Sequence, residues 1–241
     1  LGSLDLASVA VALDSRAGGL GLDARLRLVR EAVEGRLCLT TSFGVEDQLL
    51  TAVSAAVGGI ELVTLDTGRL FSETHDVWRE TERRLGVRIR ALAPEPDRVS
   101  DLVARDGLDG FYDSVEKRRA CCRVRKTEPL AKALAGAAGW ITGLRGQQSD
   151  ERSGAPFAAF DATRGLLKVN PLFDWSREAV VAELRARDVP VSELEARGYR
   201  SVGCEPCTRA LRPGEPERAG RWWWEQGGAK ECGLHVPARA A

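Results

Sequence analysis

Four of the six cysteines in this 241-residue chain stand in two knots, the vicinal pair Cys121-Cys122 and the turn Gly203-Cys204-Glu205-Pro206-Cys207. A C-x-x-C presents two sulfurs from one tight turn, a spacing shared by zinc knuckles, redox dithiols and iron–sulfur ligand sets. Adjacent cysteines are poorly placed to fill two corners around one small tetrahedral ion, whereas neighbours can bind different irons of a cubane. From spacing alone three readings stay open: an iron–sulfur cluster, a zinc site, or buried small hydrophobes at Cys121 and Cys122 beside a separate redox pair. A fifth cysteine, Cys232, follows Lys230 and precedes His235, cationic neighbours that favour the nucleophilic thiolate. Its bland alternative is an incidental exposed thiol on a frayed end. Cys38 sits inside an apolar run and reads as core.

Basic residues gather near these sulfurs. Arg118, Arg119, Arg123, Arg125 and Lys126 surround the vicinal pair, Arg145 and Arg152 follow a later apolar run, and Arg209, Arg212, Arg218 and Arg221 follow Cys207. Such cations would stabilise an anionic thiolate centre or hold an anionic ligand beside it; solvated helix faces account for about half of them equally well. Lys+Arg and Asp+Glu are both 35, so the whole offers no electrostatic attraction to nucleic acid or an anionic membrane. Neither a membrane-spanning run nor a basic signal region is found, which leads to the expectation of a cytoplasmic protein whose cysteines serve metal binding or catalysis. The absence of Met leads to the expectation of a trimmed N-terminus. No linker or repeat divides the chain.

The elements that must position these groups alternate. Residues 4 to 34 carry helical spacing broken at Gly18-Gly19, giving two short helices. Leu37 to Thr41 reads as a strand, followed by Ser42-Phe43-Gly44-Val45-Glu46-Asp47 and a helix from Gln48 to Val57. A loop of this kind, leading from strand to helix, offers backbone N–H groups to a phosphate or sulfate, and an ordinary turn fits as well. Ile60 to Leu65 is a second strand, closed by Asp66-Thr67-Gly68, where Asp66 either meets a ribose or caps a turn. Ser72 or Glu73 opens a helix to Leu85, on which His75 reads as a surface or core histidine. Further strands are expected at Val87 to Leu92, Trp140 to Leu144 and Leu166 to Val169, with helices at Lys126 to Leu134 and Glu178 to Arg187. This rhythm predicts an α/β fold, a mostly parallel sheet with helices on both faces. The domain expectation is a nucleotide-binding domain over 1–210 and a mobile tail over 211–241, hinged at Gly227-Gly228. Trp222-Trp223-Trp224 cannot all face one core, so some cover a site or dock the tail.

Taken together, these stretches resemble the assimilatory adenylyl-sulfate reductases, the iron–sulfur branch of the phosphoadenylyl-sulfate reductase family. The resemblance runs from Thr41 to His235, through Ser42-Phe43-Gly44, Leu65-Asp66-Thr67-Gly68, Arg118-Arg119, Cys121-Cys122, Arg125-Lys126, Gly143-Leu144-Arg145, Asn170-Pro171-Leu172, Pro206-Cys207-Thr208-Arg209, Gly220-Arg221-Trp222 and Glu231-Cys232-Gly233-Leu234-His235. It implies an adenine-nucleotide α-hydrolase-like fold and a [4Fe–4S] cluster on Cys121, Cys122, Cys204 and Cys207. It further implies that the Cys232 thiolate attacks the sulfur of adenosine 5′-phosphosulfate, that AMP leaves, and that an external thioredoxin releases sulfite from the resulting S-sulfocysteine. The setting implied is sulfate assimilation toward cysteine. By family position Arg152, Arg218, Arg221 and His235 would meet the phosphosulfate, and Ser42, with Asp66 and Gly68 of the turn Asp66-Thr67-Gly68, the nucleotide. Lys126, one turn after Cys122, would bridge cluster and sulfate electrostatically. Arg218 and Arg221, three apart, are expected to share a helical face. A homo-oligomer is compatible with the sequence.

The departures are few. Gly146 stands where an arginine commonly follows Arg145, and Asp150 where a proline is usual, so the loop to Arg152 is expected to be shaped differently. The nucleotide loop lacks the Ser-Gly-Gly-x-Asp-Ser form of relatives that bind ATP, which argues against adenylation and against a tRNA-thiolating enzyme. Two further alternatives are a reductase for the 3′-phosphorylated nucleotide, whose branch lacks the four cysteines, and a zinc-stabilised nucleotide-binding module.

Overall fold

The apolar runs of short length assemble into one six-stranded sheet. β1 (Leu37–Thr41) lies inside it, with β2 (Ile60–Leu65) and then β3 (Arg90–Leu92) on one side. On the other side come β4 (Gly139–Ile141), β6 (Leu166–Val169) and, at the edge, β5 (Ala158–Asp161). All pairings are parallel except that of β5 with β6. This computed structural model describes residues 5–149, 152–225 and 233–234; Cys232 and His235 lie outside the described residues.

The strands alternate their side chains between two cores, as the pleat requires. Leu37, Leu39, Leu62, Ile141 and Leu167 enter one core, under α1 (Leu6–Arg16), α2 (Leu22–Ala32), α3 (Val45–Val57) and α8 (Arg177–Ala186). Cys38, Val63, Trp140 and Leu166 enter the other, covered by Leu130, Ala133 and Leu134 of α7 (Glu128–Leu134). Helices therefore cover both faces, and Cys38 is a buried core thiol, pushed up to about 12 by burial. The remaining helices are α4 (Ser72–Leu85), α5 (Pro96–Asp106), α6 (Val115–Cys122) and the short α9 (Glu193–Ala196). Among the described residues no helix is long and apolar enough to cross a membrane.

Two strand expectations change, and one strand, β5, is added. Val87 to Ile89 stays out of β3 because the Ile89 N–H donates to Glu82 Oε1 at 2.8 Å, tying this stretch to the end of α4. β4 stops at Ile141: Thr142 still donates to the Val169 carbonyl at 2.9 Å, and then the chain turns away at Gly143. A Cβ there would collide with the Asp47 carboxylate, so only glycine allows this approach. β5 is too short and too poor in β-branched residues to stand out, and its pairing with β6 depends on a turn closed by Gly165 N–H to Asp161 C=O at 2.8 Å.

Candidate active site

With β1 and β4 adjacent and the chain running outward from them in both directions, the carboxyl ends of the central strands open into a cleft, the place where sheets of this kind bind ligands. Ser42, Thr64, Thr67 and Gly143 form its floor. After β1 the backbone folds sharply through Phe43 at φ 61°, a left-handed conformation held by stacking of Phe43 on Trp78 at 5.6 Å. Gly44 then caps α3 without any side-chain hydrogen bond. The open N–H expected at Ser42 is taken: its N–H and Oγ both donate to Asp47 Oδ2, at 2.6 and 2.7 Å. Burial pushes the Asp47 carboxyl up to about 6, against the pull of those two bonds.

After β2, Asp66 closes its own turn by accepting from Gly68 N–H at 3.0 Å, and its other oxygen lies 3.9 Å from His75 Nε2. Of this turn it is Thr67 that lines the cleft. Thr67 also reaches the second feature of the site, its hydroxyl lying 3.3 Å from Cys204 Sγ and its carbonyl accepting from Arg125 Nη1 at 2.7 Å.

That second feature is a small apolar cavity beside the cleft, lined by Cys121, Cys122, Cys204 and Cys207 with Phe111 and Trp222. The vicinal pair ends α6, which passes through a π-helical turn (Arg123–Thr127) into α7. Pro129 has no N–H to offer the Arg125 carbonyl and would crowd it in a tight helix, so the helix widens there. Arg118, Cys121, Cys122, Arg125 and Lys126 follow the i, i+3, i+4, i+7, i+8 stripe of one helix face, and all five line the cavity. Cys204 and Cys207 come from a 3-10 turn whose Glu205 N–H donates to the Arg69 carbonyl at 2.8 Å. Burial pushes the Cys207 thiol up to about 11 and also raises Cys121. Burial acts the same way on Cys204, but Lys126, the Thr67 hydroxyl, Arg221 and Arg125 outweigh it and hold that thiol below its ordinary value.

The four sulfurs are in no disulfide and line one small apolar cavity ringed by cations, which suits a thiolate-bound anionic group. Among the described residues no three or more His, Cys, Asp or Glu side chains are gathered to hold a metal ion.

Residues beyond Cys207 return to complete both spaces. Trp222 N–H donates to the Cys207 carbonyl at 3.2 Å, and Thr208 pairs with Arg221. Arg221 is buried over the Trp222 ring at 4.6 Å, and a Cβ at Gly203 would collide with its guanidinium. Arg218 and Arg221 sit on a turn, with Arg221 N–H to the Arg218 carbonyl at 3.0 Å, and not on the helix face expected from their spacing. Of the three tryptophans Trp222 is buried and Trp223 exposed. Lys126 and Arg221 line both the cleft and the cysteine cavity, while Arg152 and Arg218 line the cleft alone. Leu234 also lines the cleft, its carbonyl accepting from Arg164 Nη2 at 3.1 Å. The structure thus gathers Ser42, Lys126, Arg152, Arg218 and Arg221 on one cleft and leaves Asp66 and Gly68 in the turn below it. Thr67 lies in the turn that the resemblance assigned to the nucleotide, while Arg164 carried no separate signal in the sequence.

A mainly parallel sheet with a cleft at its central strand ends and a thiol-lined cavity beside it defines an α/β protein of the adenine-nucleotide α-hydrolase-like fold. The phosphoadenosine phosphosulfate reductase domain matches residues 36–210. The chain is similar to the adenosine 5′-phosphosulfate reductase of Agrobacterium fabrum, 52% identical over 98% of this chain and 91% of that one. It is likewise similar to the enzyme of that name from Allochromatium vinosum, 52% identical over 83% of this chain and 78% of that one. The crystal structure of a phosphoadenylyl-sulfate reductase from Candida auris superposes with a TM-score of 0.71 at 23% identity, covering 85% of this chain and 97% of that one. A Candida glabrata FMN adenylyltransferase shares the fold at a TM-score of 0.51 and 15% identity, covering 91% and 82%. The chain belongs to the phosphoadenosine phosphosulfate reductase family.

Proposed function

We propose that the protein reduces adenosine 5′-phosphosulfate to sulfite and AMP, with thioredoxin as reductant, in sulfate assimilation. The observation that carries this is the shared wall: Lys126 and Arg221 line both the cleft and the cysteine cavity. Relatives named adenosine 5′-phosphosulfate reductase, at 52% identity over most of both chains, support the unphosphorylated nucleotide as substrate. The five described cysteines form no disulfide, which suits a reducing cytoplasm.

In this reading the cleft floor at Ser42 and Thr67 receives the nucleotide, and Lys126, Arg152, Arg218 and Arg221, with His235, neutralise the phosphosulfate. The Cys232 thiolate attacks the sulfur, forming an S–S bond as the S–O bond to AMP breaks, and AMP leaves with that electron pair. A thioredoxin thiolate then attacks Cys232 Sγ and sulfite departs with the S–S electron pair. The second thioredoxin thiol resolves the mixed disulfide and returns Cys232 as thiolate. Cations preset against the phosphosulfate stabilise the charge that builds on the leaving oxygen. A [4Fe–4S] cluster held by Cys121, Cys122, Cys204 and Cys207 would supply electrostatic organisation and not electrons.

Anaerobic turnover of the nucleotide with and without a 3′-phosphate, with thioredoxin present, tests this by sulfite release from wild type and Cys232→Ser. The variant is expected to stay brown, bind nucleotide and release no sulfite. Unchanged sulfite from Cys232→Ser removes that residue from the mechanism. A colourless wild type with one zinc supports the nucleotide-binding module instead, and preference for the 3′-phosphorylated nucleotide reassigns the substrate.

A further inference from the structure

Arg145 belongs by sequence to the basic group that includes Arg152, but it is not part of the cleft wall. It is 1% exposed, and carboxylates from two distant segments take up its guanidinium. Nε donates to Glu46 Oε1 at 2.7 Å, and Nη2 donates to both oxygens of Glu217 at 2.8 and 2.7 Å. Arg177 of α8 completes the group, lying 3.6 Å from Glu217 and 4.0 Å from Glu46 while its Nη2 grips Glu195 at 2.5 Å. Arg200 also pairs with Glu195, so three cations and three carboxylates balance and the group adds no net charge beside the cleft.

What the group does add is a tie between segments far apart in sequence. Glu46 neighbours Asp47, which holds Ser42. The Arg145 N–H donates to Gln148 Oε1 at 3.2 Å, and the same oxygen accepts from Arg152 Nη1 at 2.6 Å. Glu217 immediately precedes Arg218 on a stretch of turns with no strand or helix of its own. Arg152 and Arg218 thus reach the cleft from two irregular segments, and Arg145 is where those segments meet. Flexible guanidiniums grip an anion well only when their backbones are preset.

We propose that Arg145 and Glu217 are positioning residues, whose buried ion pair sets the spacing of Arg152 and Arg218 for the phosphosulfate end of the substrate. This rests on the substrate assigned above. Its signature is selective. Loosening the pair should weaken binding of adenosine 5′-phosphosulfate more than that of AMP, which lacks the sulfate, whereas general loosening of the cleft would weaken both alike.

The test is calorimetric binding of both nucleotides to protein carrying Cys232→Ser, which cannot react, alone as the wild-type reference and combined with Glu217→Gln or Arg145→Lys. Anaerobic sulfite assays accompany it on the chain with Cys232 intact. For the variants adenosine 5′-phosphosulfate should bind about tenfold more weakly and AMP within about threefold of wild type, with KM raised more than kcat is lowered. Equal losses for the two nucleotides, or affinities within about twofold of wild type, overturn the proposal. Arg145→Lys keeps every charge and provides the measurement if Glu217→Gln does not fold; failure of both to fold assigns the pair to stability and also overturns it. Wild type that binds the nucleotide but makes no sulfite defeats the proposed function alone. An active wild type with unaltered variants defeats this inference alone.

Discussion

Arg118 and Glu225 form a two-point ion pair, with Nε to Oε1 at 2.7 Å and Nη2 to Oε2 at 2.9 Å, across 107 residues of sequence. Their side chains are 1% and 5% exposed, and the Arg118 guanidinium lies 4.5 Å from the centre of the Trp222 ring. The pair fastens the returning segment to the helix that carries Cys121 and Cys122. Removing one partner leaves a buried charge uncompensated, so Glu225→Ala should cost about 3–5 kcal/mol in urea unfolding. A cost below about 1 kcal/mol, the range of exposed pairs, would show that the charge finds water.

The cysteine quartet makes a prediction about metal content. Cys121→Ser and Cys204→Ser should each lower the iron bound after anaerobic purification and weaken visible absorption, because a hydroxyl is a poorer ligand for iron than a thiolate. Cys38→Ala should leave iron unchanged, since Cys38 packs in the core across from α7. Full iron in both serine variants would sink the four-cysteine assignment.

Asp47 predicts a pH dependence with a definite sign. Its carboxyl is pushed up to about 6 by burial, from about 3.9 in an unfolded chain. The stability it contributes is therefore complete below about pH 4 and is lost as the pH rises through about 6, a swing of about 3 kcal/mol. Relative to Asp47→Asn, wild type should lose that amount between about pH 4 and pH 7. A stability difference flat with pH, measured by urea midpoints, contradicts it.

Gly203→Ala probes the wall between the two spaces. The added methyl would meet the Arg221 guanidinium, so Arg221 must move while the sheet is untouched. Nucleotide binding is expected to weaken by about tenfold with unchanged far-ultraviolet circular dichroism. Wild-type affinity would show that Arg221 does not reach the ligand.

Most of the sheet was legible because its strands are short apolar runs between helical patterns, and Leu37, Ile60 and Leu166 begin strands where those patterns begin. The stripe from Arg118 to Lys126 was also present in the sequence, although the helix through it was expected only from Lys126 onward. Other features depended on partners far along the chain. Asp47 takes the Ser42 N–H only because α3 folds back on its own loop, and Arg145 turns from the cleft because Glu46 and Glu217 reach it from two directions. Arg218 and Arg221 look helical at a spacing of three, but the pairing of Thr208 with Arg221 holds them in a turn. Local spacing cannot register such contacts, since it reports periodicity and not partners.

The helical run from Val115 to Leu134 carries two of the sulfurs and the lysine on one rod. Inserting or deleting one residue between Cys122 and Lys126 would swing the lysine about 100° around the axis, away from both spaces at once. This stretch should therefore accept changes of side chain more readily than changes of length, and an alignment of functional relatives should show substitutions there but no gaps.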